Sequence, residues 1–343
     1  MRLGVGVGRG RPEEIIARAR RLESAGVDVL WTGENYGYDA VSIMGFLAAV
    51  TSRVEIGSSI LQTYIRTPTL VAMSAAGVDA LSDGRCILGL GTSGPGVVEG
   101  FHGVPFDAPV GRTRETIEIC RKAWARQEPL AYQGAAYQIP LPPGQGIGVG
   151  RPLRLLDHPV RDRIPIYVAA MGPRNVELTA ELAEGWLPGW FWPEKAAEVW
   201  GPALAAGQAR RDPALPPLEV VAGATVAIGD DLGDLRDRAR GPLAFYIGAM
   251  GPRGHNFYND LAVRLGYEKE ARQIQELFLS GKRDEATALV PQDLVDGTTL
   301  IGPAGQVRDR LDAYREAGVT TLNASVTGPD PEHTLDQLRA WTA

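Results

Sequence analysis

The sequence is short of the residues that would mark a disulfide-bonded, metal-bound or membrane-embedded protein. Its 343 residues include only two cysteines, Cys86 and Cys120. They fall in a strand-like and a helical stretch, so both are expected to be reduced core residues, in keeping with a cytoplasmic location. The four histidines, His102, His158, His255 and His333, show no ligand spacing, which argues against a metal site. No apolar run is long enough to span a bilayer, and the opening MRLGVGVGRG has no apolar segment of signal-peptide length. A soluble protein with no membrane partner is expected. The formal charge of −6 comes without a basic stripe, which argues against nucleic acid as a partner. No Ser/Gly linker, charge block or low-complexity tract divides the chain, so residues 1–343 read as one domain with insertions. A dinucleotide fingerprint is missing too. Gly4-Val5-Gly6-Val7-Gly8 lacks the G-x-G-x-x-G spacing, which leaves a doubly wound sheet as the lesser alternative.

What is present is a repeated punctuation. Helical stretches end in Ala-Gly or a relative, and a strand begins at once: Ala25-Gly26-Val27, Ala317-Gly318-Val319, and more loosely Asp83-Gly84-Arg85 and Glu184-Gly185-Trp186. Glycine takes the left-handed conformation that stops a helix. Proline opens helices at Pro12, Pro68, Pro173, Pro193 and Pro303, where its missing N–H is harmless. Strands are expected near 2–7, 27–33, 54–61, 85–91, 164–169, 185–188, 219–227 and 320–326. Helices are expected near 12–25, 39–51, 68–82, 109–126, 173–184, 193–210, 303–317 and 331–342. This alternation predicts an α/β fold, a (β/α)8 TIM barrel. Residues 127–163 read as a long ordered loop. Residues 240–300, with helical pieces at 268–279 and 283–289, read as a second insertion.

The densest stretch is 54–94. An apolar strand ends in Ser58-Ser59-Ile60, and Thr67-Pro68 opens a helix on which Leu70, Val71, Ser74, Ala75, Val78 and Leu81 share a face. A second strand then ends in Gly91-Thr92-Ser93-Gly94. Small polar residues at the carboxyl ends of parallel strands are where such folds hold ligands. With Arg66-Thr67-Pro68 and Leu81-Ser82-Asp83-Gly84-Arg85, these motifs resemble the luciferase-like monooxygenase superfamily. Val98-Glu99-Gly100-Phe101-His102-Gly103, Ala169-Ala170-Met171-Gly172-Pro173-Arg174-Asn175 and Gly251-Pro252-Arg253-Gly254-His255 are similar to its branch that uses the deazaflavin coenzyme F420.

The resemblance implies a cofactor at the carboxyl ends of the barrel strands and a non-proline cis peptide joining Ser59 to Ile60. By the same resemblance the ring is expected near Glu34, Asn35, Ser59, Ile60, Gln62, Thr92, Ser93 and Gly94. The phosphate is expected at Ala170, Met171, Gly172, Pro173 and Arg174, where Gly172 allows close approach and a helix begins. A rival cradle is Gly302-Pro303-Ala304-Gly305. Arg66 and Arg112 are candidate cations for the acidic tail of the cofactor. Tyr36, Trp186, Trp190, Trp192, Tyr246 and His255 are candidates for a substrate wall suited to a flat or apolar molecule. Glu34 is the first candidate proton donor, as a carboxyl expected in a buried place, and His102 the second. The superfamily's sugar-phosphate dehydrogenases carry histidine and glutamate where this chain has Asn35 and Gly94, which argues against that reaction.

The expected activity is hydride transfer between F420 and a small-molecule or peptide substrate, as a reductase of a C=C or C=N bond in a secondary metabolite or modified peptide. The alternatives are an FMN-dependent monooxygenase and a cofactor-binding protein without turnover. A homodimer or larger homo-oligomer is expected from the resemblance.

Overall fold

Strand by strand, the alternation closes on itself in the computed structural model, which describes residues 1–342. The strands are β1 (Arg2–Gly6), β2 (Val29–Thr32), β3 (Glu55–Ser58) with its continuation β4 (Leu61–Gln62), and β5 (Cys86–Gly91). A short antiparallel hairpin of β6 (Tyr132–Gln133) and β7 (Gln138–Ile139) precedes β8 (Ile166–Ala169), β9 (Gly185–Leu187), β10 (Glu219–Ile228), β11 (Leu300–Gly302) and β12 (Thr321–Val326). Parallel pairing runs β1–β2–β3–β5–β8–β9–β10–β12 and back to β1, a closed eight-stranded barrel. β11 adds to the carboxyl end of β10, at Val226–Ile228.

Helices clothe the barrel: α1 (Pro12–Ser24), α2 (Ala40–Val50), α3 (Pro68–Leu81), the single turn α4 (Pro95–Val98), α5 (Pro109–Ala125), α6 (Pro173–Leu182) and α7 (Pro193–Gln208). The insertion holds α8 (Gly233–Ala249), α9 (Phe257–Arg264), α10 (Glu268–Leu279), α11 (Arg283–Ala288) and α12 (Gln292–Thr298). α13 (Ala304–Glu316) and α14 (Pro331–Thr342) close the order. Local chemistry sets these ends. The Thr67 hydroxyl accepts the Leu70 N–H ahead of Pro68, and the Asp39 carboxylate accepts the Ser42 N–H at 2.7 Å, each satisfying a free amide of the first turn. Gly26 and Gly318, at φ +81° and +89°, stop α1 and α13 in a conformation a side chain would strain.

Two layers of core result. Leu3, Leu30, Ile56, Leu88, Ile166 and Leu322 pack outward against the helices. Inside the barrel lie Val29, Trp31, Ile87, Tyr167, Leu187 and Val221. Trp31 is accommodated because Gly4 and Gly57 flank it; a Cβ at either would overlap the indole. Below it, the amino end of the barrel is sealed by polar contacts. Arg2 pairs with Glu55 and stands 3.6 Å from Glu219, which accepts the Tyr167 hydroxyl at 2.7 Å.

The insertions are more ordered than their composition suggests. The 127–163 segment is anchored by the Glu115 carboxylate, which accepts the N–H groups of Ala135, Ala136 and Tyr137, and by Arg161, which forks the buried Asp79. The helical pieces at 268–279 and 283–289 are α10 and α11. α8 escapes a sequence reading because it carries Gly241, Pro242 and Gly248, residues that ordinarily argue against a helix. Cys86 and Cys120 are both free and buried. Among the described residues no helix is long and apolar enough to cross a membrane.

One face stays apolar and open. Leu70, Met73 and Leu81 of α3 are 46%, 56% and 70% exposed. The periodicity groups Leu70 and Leu81 with Val71, Ala75 and Val78, but only the latter three are buried.

Candidate active site

The stretch read as one strand over 54–61 is broken at its carboxyl end. β3 stops at Ser58, the Ser59–Ile60 peptide is cis, and β4 resumes at Leu61. The buried Ser58 hydroxyl spans the gap. It donates to the Gly89 carbonyl at 2.9 Å and accepts the Gly89 N–H at 2.8 Å, replacing the ladder bonds that the break removes. Ile60 lies over β5, where a Cβ at Gly91 would come within 2.8 Å of it.

Beside this break stands Glu34, buried at the end of β2. Both of its oxygens are committed. Arg66 forks it through Nη1 at 2.5 Å and Nη2 at 2.7 Å, and the Ala40 and Gln62 N–H groups add bonds at 3.3 Å. Arg66 also pairs with Asp39. Burial works against the Arg66 charge, but the two carboxylates outweigh it and hold its pKa above the usual value. Glu34, the first candidate proton donor, is thus built into an ion pair, and Arg66, a candidate cation for the acidic tail, is engaged by Glu34 and Asp39. The pair is also what presents the amide of Gln62, whose Nε2 donates to the Glu34 and Asn35 carbonyls at 3.3 Å.

Several polar atoms here have no partner. Among the described residues, Gln62 Oε1, Thr63 Oγ1 and His102 Nε2 are buried and unsatisfied, the state of groups that await a ligand or water. The Asn35 side chain and Tyr36 are exposed on the same loop, with Tyr36 6.0 Å from Phe101, whose ring meets His102 edge-on at 5.0 Å. Thr92, Ser93 and Gly94 follow β5 as expected. Ser93 has φ +58°, and Gly94 sits where a Cβ would come 3.2 Å from the Met250 carbonyl of the insertion.

The turn before α6 gathers Ala170, Met171, Gly172, Pro173 and Arg174. A Cβ at Gly172 would meet nothing within 4 Å, and Arg174 is exposed. The sequence reading missed Arg264 of α9, whose Nη2 donates to the Met171 carbonyl at 2.8 Å while Nη1 is buried with no partner among the described residues. Burial pulls the Arg264 pKa below the usual value, only partly opposed by Asp260. At the rival cradle the space beside Gly302 is taken by Gln306 and Arg236, whereas a Cβ at Gly305 would meet nothing within 4 Å. Arg112 is engaged as well, forking Asp107 and lying over the rings of Tyr64 and Tyr137.

The aromatic group at the end of β9 divides. Trp186 is 1% exposed, donates to the Ala170 carbonyl at 2.8 Å and meets Trp200 edge-on at 5.3 Å. It belongs to the helix-side core, because Leu187 takes the inward position of the strand and its neighbour must point out. Trp192 also turns away from the mouth, stacking on Tyr267 and covering Gly297. His255 is exposed on a turn closed by its N–H to the Pro252 carbonyl. Only Trp190 reaches the mouth. It stands 5.1 Å from Tyr258 and 6.1 Å from Tyr246. These three help line a cavity of about 1380 Å³ over β1, β10 and β12, which continues outward between α1 and α14.

A barrel sealed at its amino end, with small and polar residues around its carboxyl mouth, belongs to the class of (β/α)8 ligand-binding enzymes. The luciferase-like monooxygenase family model matches residues 1–321, and the chain belongs to that family. A Mycobacterium tuberculosis protein provisionally named a coenzyme F420-dependent oxidoreductase is 40% identical over 312 residues, covering 90% of this chain and 88% of that protein. The 5,10-methylenetetrahydromethanopterin reductase of Archaeoglobus fulgidus is 27% identical over 322 residues, covering 92% of this chain and 90% of its own. In fold, the chain is similar to the coenzyme F420-dependent tetrahydromethanopterin reductase from Methanopyrus kandleri, with a TM-score of 0.76 at 23% identity over 98% of this chain and 96% of that one.

Proposed function

We propose that this protein is a coenzyme F420-dependent oxidoreductase, and that it reduces a C=C or C=N bond in a secondary metabolite or modified peptide. The likeness along nearly the whole chain to the mycobacterial relative carries the cofactor assignment. The residues present fit such a group. Next to the Ser59–Ile60 break, the orphaned Gln62 Oε1 and Thr63 Oγ1 are buried polar atoms of the kind that meet the edge of a heteroaromatic ring. At the turn before α6, Gly172 leaves open space for an anion, with Arg174 and Arg264 as the nearby cations.

When bound, the deazaflavin supplies a two-electron hydride carrier, its reactive centre being carbon rather than nitrogen. The chain's own residues bind, orient and shield. Ile60 and Gly91 offer an apolar face, Gln62 an amide edge, and Thr92 and Ser93 hydroxyls. Glu34 is a positioning residue that holds Arg66 and, through it, the loop carrying Asn35. His102 is our candidate proton donor, because its Nε2 is buried with no partner among the described residues. We further infer a homodimer formed across α3, since Leu70, Met73 and Leu81 leave an uncharged apolar strip whose only acid, Asp79, faces inward.

Parallel titration of the purified protein with F420 and with FMN, read by tryptophan fluorescence and calorimetry, tests the cofactor reading. Binding of F420 at least about tenfold tighter than FMN is expected. Preference for FMN would overturn the reading and point to oxygen-consuming chemistry.

A further inference from the structure

The half of the mouth away from the Ser59–Ile60 break has a character of its own. β1, β12 and β10 run side by side, with Gly4 opposite Asn323 and Asn323 opposite Gly223. Leu3, Val5, Ala222, Ala224, Leu322 and Ala324 are buried on the helix side. Alternation therefore turns the intervening residues into the barrel. These are Gly4 and Gly6 from β1, Gly223 and Thr225 from β10, and Asn323 and Ser325 from β12. Above the level of Val221, three adjacent strands thus offer the interior glycine and uncharged polar groups.

The glycines make a slot. A Cβ at Gly223 would meet nothing within 4 Å, so the space beside that backbone is open. Beneath it, the indole of Trp31 is buried, and its N–H ends against the inner face of Gly4, beside Asn323, with no partner among the described residues. Above it, Trp190, Tyr246 and Tyr258 form a roof, with Tyr246 and Tyr258 4.5 Å apart. The charged groups on the same cavity lie on its outer shoulder, on α1, α8 and α14. There Arg18 is spent on the Val7 and Arg9 carbonyls, and Arg238 on that of Asp234.

We propose that this slot is the substrate subsite and that it takes a flat, uncharged molecule bearing an acceptor oxygen, such as a conjugated ketone or cyclic amide. The inference rests on the F420 reading for what the bound molecule undergoes, but its binding is independent of it. A planar ring lies against bare backbone at Gly6 and Gly223 and faces the aromatic roof. Its oxygen is read by the Asn323 amide and the hydroxyls of Thr225 and Ser325. A carboxylate or phosphate is disfavoured, because the residues that face the slot are uncharged, the guanidinium at the end of β1, Arg18, is already committed to the Val7 and Arg9 carbonyls, and burying an unpaired charge is expensive.

Two probes with the same ring system separate the possibilities: acetylnaphthalene, a neutral aryl ketone, and naphthoate, its carboxylate counterpart. Each is titrated by calorimetry into full-length protein saturated with oxidised F420, and again into protein without it. The ketone is expected to bind at least about tenfold tighter than the carboxylate. Gly223→Val, which fills the slot, and Asn323→Leu, which removes the polar reader at similar volume, are each expected to weaken the ketone about tenfold while leaving F420 affinity within about twofold. Unchanged circular dichroism melts establish that both variants fold, and the second variant serves if the first does not. Equal or tighter naphthoate binding, or a ketone indifferent to both substitutions, overturns the proposal. Ketone binding that persists when F420 fails to bind would instead refute the cofactor reading and leave the subsite standing.

Discussion

Replacing Glu34 by glutamine separates a positioning carboxylate from a proton donor. In the native protein its two oxygens take four hydrogen bonds, two from Arg66 and one each from the Ala40 and Gln62 amides. Glutamine keeps the shape but exchanges one acceptor oxygen for an NH2 group, so the donors on that side face another donor. Arg66 is then left with Asp39, whose side chain is 43% exposed. Removing one partner of a buried pair costs about 3–5 kcal/mol. The surviving Asp39 contact and the remaining oxygen return part of this, so we expect a loss of about 2–3 kcal/mol. The measurement is urea unfolding followed by circular dichroism, in which the midpoint falls and the slope is unchanged. Turnover in the same variant should decline through weaker F420 binding, with the shape of the pH–rate profile retained. Stability within about 0.5 kcal/mol of the parent, together with loss of one limb of that profile, would refute the assignment and return Glu34 to the role of acid.

Two further outcomes follow from features away from this pair. Leu81→Glu or Met73→Glu places a charge on the open face of α3 and is expected to convert a dimer to a monomer by light scattering; an unchanged mass would move the interface elsewhere. Burial pushes the Tyr64 phenol up to about 12, and it raises Tyr167 and Tyr314 as well, with Glu219 adding to the effect at Tyr167. Since the unfolded value is about 10, their contribution to stability is whole below that pH and is lost as pH climbs through the folded values. Absorbance titration should therefore find these phenols silent until the protein unfolds in alkali, and early ionisation of all ten tyrosines before unfolding would contradict their burial.

The eight strands and the helices between them were legible because their signals are local. A proline at a helix start and a glycine at its end act within a few residues, and both recur along the chain. The break after Ser58 was legible only through family resemblance, since two serines at a strand end are ordinarily a plain loop. Whether Trp186 or Leu187 faced the mouth turned on the phase of a three-residue strand, which no pattern in so short a run fixes. The Glu34–Arg66 pair joins residues 32 apart, and Arg264 reaches a carbonyl 93 residues away. Such meetings are set by barrel closure and leave no local trace. Asn323 and Ser325 did leave one, as polar residues alternating with Leu322, Ala324 and Val326 along β12, but the reading of the sequence did not single them out.

The plug formed by Arg2, Glu55, Tyr167 and Glu219 under Trp31 closes the barrel to entry from its amino end, so ligands come and go on the side of the mouth. Whatever lies against Trp31 must enter ahead of anything that settles over it, and must wait for that occupant to leave. Two molecules sharing such a vessel form a queue, so the sequence of arrival and departure is written into the wall rather than into relative affinity. An excess of the molecule that belongs nearer the rim then slows turnover by stopping the neck, even though it competes for no contact at the bottom.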